Sequence, residues 1–159
     1  MRFLWFGRKK RPTLLVAPEP EQKLVEIFSV TDFVCETNPL QGVKGSQLEA
    51  HTIYSYILSL LSGGGSPADL AAQEFFQERG GALLPILDYS HSPDRGYSAR
   101  IVDAELQRTV LMGTHQVVAR ASAPFAPMIL KALELNPKAF VIAIDGIAYA
   151  SFAVVSELS

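Results

Sequence analysis

Two runs decide how this chain folds. The first is Ser90-His91-Ser92-Pro93-Asp94-Arg95-Gly96-Tyr97-Ser98-Ala99-Arg100-Ile101, and close behind it comes Val110-Leu111-Met112-Gly113-Thr114-His115-Gln116. The first reads as a polar turn carrying a basic residue and entering a strand, and the second as a strand closed by a glycine turn into a helix. Further out, residues 139–155 are almost wholly apolar, with Asp145-Gly146 near the middle. That stretch is short for the ~20 apolar residues a membrane span needs. Its aspartate would also cost about 2.5–3.5 kcal/mol at bilayer depth. Two buried strands joined by a tight Asp-Gly turn explain it better. Asp103-Ala104-Glu105 turns a second hairpin. Hairpin links favour antiparallel pairing. The predicted class is therefore α+β, an antiparallel sheet of about five to six strands with helices packed on it. The predicted strands are 82–87, 97–102, 108–112, 139–144 and 147–155, with a short one at 30–35.

Upstream of these strands the period changes. Within 47–61, Ile53, Tyr56, Ile57, Leu60 and Leu61 fall on one face of a helix. Gly63-Gly64-Gly65 ends it. Ser66 then caps a second helix, Pro67 suits its first position, and Asp69 sits in its first turn. Ala68, Ala71, Ala72, Phe75 and Phe76 form its apolar side, and Gly80-Gly81 stops it. Two short helices are expected at 115–120 and 125–135. Residues 21–28 read as two helical turns and 37–46 as a loop. A short edge strand is expected at 13–17. The domain reading is a basic and apolar tail over 1–20, followed by one domain over 21–159.

Of the 159 residues, 48% are hydrophobic and 19% charged, which suits a packed core rather than disorder. A net charge of −2 carries no electrostatic footprint for nucleic acid. The lone Cys35 fits a reducing, cytoplasmic setting. His51, His91 and His115 do not share metal-ligand spacing with it, so no metal is predicted. No P-loop lysine follows the glycine run, and no nucleophile elbow marks a hydrolase. At the N-terminus, Phe3-Leu4-Trp5-Phe6 precede Arg8-Lys9-Lys10-Arg11. This order reverses that of a secretory signal. The tail is read either as solvated or as a contact for an anionic membrane surface.

From about Leu24 to Ser156 the chain resembles the nucleotide-binding (N) domain of P-type cation ATPases. Val25-Glu26-Ile27-Phe28-Ser29-Val30-Thr31-Asp32-Phe33-Val34-Cys35 is similar to the family's approach to its phosphorylation motif. The D-K-T-G-T that should follow is missing: ungapped, its aspartate falls on Thr37, and a shift of one residue places Glu36 there. Threonine lacks an activating base, and glutamate is one methylene too long where about 1 Å of misplacement costs ~100-fold. No phosphoenzyme is expected. Gly65 to Phe76 resembles the family's G-N-P-T-E/D helix. His91 takes the place of the aromatic that stacks on adenine, Arg95 that of a basic residue suited to phosphate oxygens, and Tyr97 the start of the next strand. Val110-Leu111-Met112-Gly113 resembles V-L-K-G, with Met112 replacing a pocket lysine and Gly113 retained. The resemblance thus implies a site for ATP or ADP at His91, Arg95, Tyr97 and Gly113. It implies no catalysis and a regulatory role, with the tail meeting a membrane pump or membrane surface. Each residue also has a plainer reading: His91 as a surface residue, Arg95 as an ion pair with Asp94 or Asp88, and His115 as a helix cap. A structural or protein-interaction module with a decayed pocket is the rival function.

Overall fold

The computed structural model describes residues 25–158; the expected tail over 1–20 and edge strand at 13–17 lie outside them. The chain divides into two compact units. Phe28–Ser156 carries the helices and the pockets described below. Of the other unit, only Val25, Glu26, Ile27, Glu157 and Leu158 are described.

The elements run β1 (Glu26–Cys35), α1 (Ala50–Leu61), α2 (Pro67–Glu78), β2 (Ile86–Ser92), β3 (Gly96–Asp103), β4 (Leu106–Gly113), α3 (His115–Ala119), α4 (Pro127–Leu135), β5 (Phe140–Ile144) and β6 (Ile147–Leu158). The sheet has six strands in the order β1-β6-β5-β4-β3-β2. Pairing is antiparallel from β2 to β3, β3 to β4, β4 to β5 and β5 to β6. Both predicted hairpins form, with Ala104 and Asp145 at positive φ in their turns. Among the described residues no helix is long and apolar enough to cross a membrane.

Alternation along the strands splits the interior into two clusters. Ile53, Tyr56, Ile57 and Leu60 of α1 pack with Phe76 of α2, and with Ile101, Val110, Met112, Ile142 and Phe152 of the sheet. Val118, Ile129 and Leu133 of α3 and α4 pack with Val141, Ala143, Ala148 and Ala153. Neighbours in β5 thus face opposite clusters. A register shift beside Ile142 and Ala143 breaks the alternation in β6, so Tyr149 and Ala150 both join the first cluster.

Two expectations are corrected. Residues 26–28 open β1 instead of ending a helix: Phe28 is half-buried between exposed Ile27 and Ser29, and edge pairing overrides local preference. The strand expected at 82–87 is instead Ile86–Ser92. Before it, the Ala82 and Leu84 amides donate to the Ser55 and Ser59 hydroxyls of α1, at 2.9 and 2.8 Å. These bonds hold 82–85 on the helix and start the ladder later. His91 therefore lies in β2 and not in a turn.

Candidate functional site

The α2 cap forms as its sequence requires. The Asp69 amide donates to Ser66 Oγ at 3.1 Å, and the Ser66 amide returns to Asp69 Oδ2 at 3.4 Å. Asp69 is only 5% exposed, so its other oxygen also needs a partner inside the fold. Tyr97, at the start of β3, supplies it: its hydroxyl donates to Asp69 Oδ1 at 2.9 Å. Burial, and then this bond, push the Tyr97 hydroxyl pKa well above its usual value of 10.0.

Beside this pair lies a cavity of about 170 Å³ between α2 and the sheet. Leu61, Ala72, Met112, Phe140 and Phe152 give it apolar walls, while Asp69 and Tyr97 bring polar atoms to it. Cavities of ~150 Å³ already accommodate a benzene ring. This one suits a single flat ring system and leaves no room for a phosphate chain. No Lys or Arg lines it.

The glycine run serves close packing here. A Cβ at Gly63 would collide with the Tyr89 ring, and one at Gly64 with the Asp69 carboxylate. Gly65 has open space around it. At the start of β3, Gly96 sits at φ +74°, and a Cβ there would strike the Met112 carbonyl. A Cβ on Gly113 would lie 3.6 Å from Gly96 Cα.

The four residues singled out from sequence gather at one end of the sheet, because Tyr97 pairs with Met112 across β3 and β4, and His91 with Tyr97 across β2 and β3. The His91 ring stacks on Tyr97 at 3.9 Å and 10°. His91 does not line the cavity; Tyr97 does. The Arg95 amide donates to Ser92 Oγ at 3.1 Å in the turn before Gly96. Among the described residues its guanidinium makes no ion pair with Asp94 or Asp88, and Asp88 is taken by Arg100 at 2.5 Å. That corrects the plainer reading of Arg95. The plainer reading of His115 is corrected too. Thr114 precedes α3 with no side-chain cap bond, and the His115 ring lies 5.5 Å from Phe125.

Sequence reasoning missed Asp69 as a site residue. Asp69 was visible only as a cap, and its second partner lies 28 positions away. The region aligned with the phosphorylation motif is engaged locally: Glu36 accepts from the Asn38 amide at 3.0 Å, and the Thr37 carbonyl accepts from the Leu48 amide at 2.9 Å. Among the described residues no three acidic, histidine or cysteine side chains gather as a metal site.

No protein-family model matches the sequence, and no curated protein matches it. Solved structures do. The N-domain of HMA6, a copper-transporting P-type ATPase, aligns with a TM-score of 0.58 at 16% identity, over 80% of this chain and 98% of that one. Two structures of the catalytic domain of the CPx-ATPase CopB-B, one described as changing conformation upon nucleotide binding, align at 16% identity with TM-scores of 0.48 and 0.46. This chain covers 39% and 37% of their lengths. The fold is that of a P-type ATPase N-domain, as the sequence motifs imply.

Proposed function

We propose that this protein binds ATP or ADP as a non-catalytic module of the N-domain kind. The observation that carries the reading is the 170 Å³ cavity, with Asp69, Tyr97 and Ser156 as the polar residues of its lining among apolar walls. Asp69 offers acceptor oxygens only, which suits a ring bearing an amino group, as adenine does. Tyr97 and Met112 would flank the base, and His91 would extend the stacked surface outward. The phosphates would leave the cavity past the turn that carries Arg95, where Gly96 and Gly113 hold the backbone close. With neither Thr37 nor Glu36 suited to accept phosphate, the role is regulatory. In this reading residues 21–159 act as one domain in the cytoplasm. The tail, Phe3-Leu4-Trp5-Phe6 followed by four basic residues, meets a membrane pump or an anionic membrane surface.

The rival, a protein-interaction module with a decayed pocket, is favoured by Met112, which buries a thioether where many members of the family that the sequence resembles have a lysine. Chemical-shift mapping with ATP and ADP at millimolar concentration separates the two. Nucleotide binding predicts shifts at Tyr97, Met112 and Gly113, with His91→Ala weakening the complex by less than the about 1–3 kcal/mol of direct base stacking, since His91 stacks on Tyr97 and does not line the cavity. Unshifted spectra leave the interaction module. Incubation with labelled ATP checks the non-catalytic claim, which a trapped acyl-phosphate would overturn.

A further inference from the structure

We propose that the outer edge of β1 and the flank of α2 form a docking groove for an extended, basic segment of a partner protein, which adds to the sheet as a further strand. Strand β1 stands at one end of the sheet order, with β6 on one side and, among the described residues, no strand on the other. A free edge presents unpaired amides and carbonyls to any strand that reaches it. The part of this edge before its backbone kink is 28–31. At Asp32 the backbone turns to φ +56°, and the Asp32 carboxylate accepts from Asn136 Nδ2 at 3.2 Å. The opposite edge, β2, is broken by a register shift between Leu87 and Ser90.

Helix α2 runs beside β1 and leaves a groove of about 210 Å³. Phe28, Val30, Ala71 and Phe75 form its apolar part, and Glu74 and Glu78 its charged part. Both glutamates are exposed, and among the described residues neither makes an ion pair. The nearby cation is already engaged: the Arg79 guanidinium lies 3.4 Å over the Phe75 ring, and its Nη1 donates to the Phe75 carbonyl. Among the described residues the groove therefore holds two unpaired negative charges beside a strand edge with no neighbour.

Charge and spacing select the occupant. Residues four apart on a helix sit about 5–6 Å apart at Cβ. Alternate residues of a strand share a face at about 7 Å. A basic-x-basic strand laid along β1 thus brings one cation to each glutamate. The Lys or Arg stems cover Phe75 and Val30 while their heads reach the carboxylates. Main-chain bonds to β1 supply affinity and the two acids supply the choice of partner, as in other β-strand additions. Phe28 lines both this groove and the cavity, but Ser29, Val30, Glu74 and Glu78 do not line the cavity, so the charge test at Glu74 and Glu78 leaves the nucleotide reading untouched.

The test uses the full chain and a labelled, capped peptide, Thr-Lys-Val-Lys-Val-Thr, with a partner peptide carrying Glu for Lys. The lysine peptide is expected to bind, to weaken with added salt, and to shift the amides of 28–31 while those of Tyr97 and Gly113 stay put. The surface variant E74Q/E78Q should bind it about tenfold more weakly at unchanged thermal stability. Equal binding of both peptides overturns the proposal, as does indifference to E74Q/E78Q or a set of shifts centred elsewhere. So does slow hydrogen exchange, in the chain alone, at the amides of 28–31 that point away from β6.

Discussion

Replacing Tyr97 by phenylalanine removes one oxygen atom and leaves Asp69 short of its strongest partner. The ring stays, so stacking on His91 and the wall of the cavity are preserved. The lost bond is a 2.9 Å donation to a carboxylate that is 5% exposed. What remains on the carboxylate is the Ser66 amide at 3.4 Å. Hydrogen bonds to charged groups contribute about 1.5–3 kcal/mol, and a buried acceptor cannot recover the loss from water. A loss of about 2 kcal/mol follows. At an m-value of about 2 kcal/mol/M the urea midpoint falls by about 1 M, with m unchanged. A double-mutant cycle with Asp69→Asn isolates the pair, and its coupling is expected at about 1–2 kcal/mol. The pH dependence supplies a second check. The Tyr97 pKa is raised on folding, so its contribution is whole below the unfolded tyrosine value near 10.0 and is lost as pH rises through the folded value. Tyr97→Phe should therefore flatten part of the alkaline loss of stability. A coupling below about 0.5 kcal/mol would refute the reasoning, since such a value is within the scatter of additive mutations.

The glycine run divides into positions that tolerate a methyl and positions that do not. Gly63→Ala drives a Cβ into the Tyr89 ring and should cost about 1–3 kcal/mol by thermal unfolding, while Gly65→Ala, with nothing within 4 Å, should be neutral within about 0.5 kcal/mol. Cys35 should alkylate slowly at pH 8: burial, then Glu36, push its pKa from 9.0 up to about 11. Its iodoacetamide rate should climb only as pH approaches that value, and a rate equal to that of free cysteine at pH 8 would contradict the burial. The same shift makes Cys35 favour the folded state below pH 9.0, a contribution that fades as pH rises toward about 11. Arg100→Gln, which breaks an exposed 2.5 Å pair with Asp88, should change stability by less than about 1 kcal/mol in the same unfolding assay.

What was legible in the sequence is what adjacent residues decide. Ser66-Pro67-x-Asp69 announces its helix start because cap and capped amide are three positions apart. Asp145-Gly146 announces its turn because only a short polar residue and a glycine take positive φ there cheaply. The misread boundaries are those set by distant groups. Nothing near Ala82 signals that Ser55 Oγ, 27 positions earlier, will take its amide. Nothing near Glu26 signals an edge strand, since an edge is defined by its neighbour in space. The helical reading of 21–28 used local pattern alone and lost to pairing at 26–28.

The site divides along the same line. The resemblance drew attention to His91, Arg95, Tyr97 and Gly113 as short motifs, and the sheet register gathers them at one end because β2, β3 and β4 are successive antiparallel strands. Asp69 escaped that reading because one side chain serves two structures. Its Oδ2 closes the α2 cap, a local matter, while its Oδ1 takes the Tyr97 hydroxyl across 28 positions. The cap alone would leave one oxygen of a buried carboxylate unmet, at a cost of about 1–3 kcal/mol or more for a charged group. A helix cap buried this deeply therefore implies a donor from elsewhere in the fold. Tyr97 is that donor, so the first turn of α2 and the start of β3 are fixed against each other at the cavity they share.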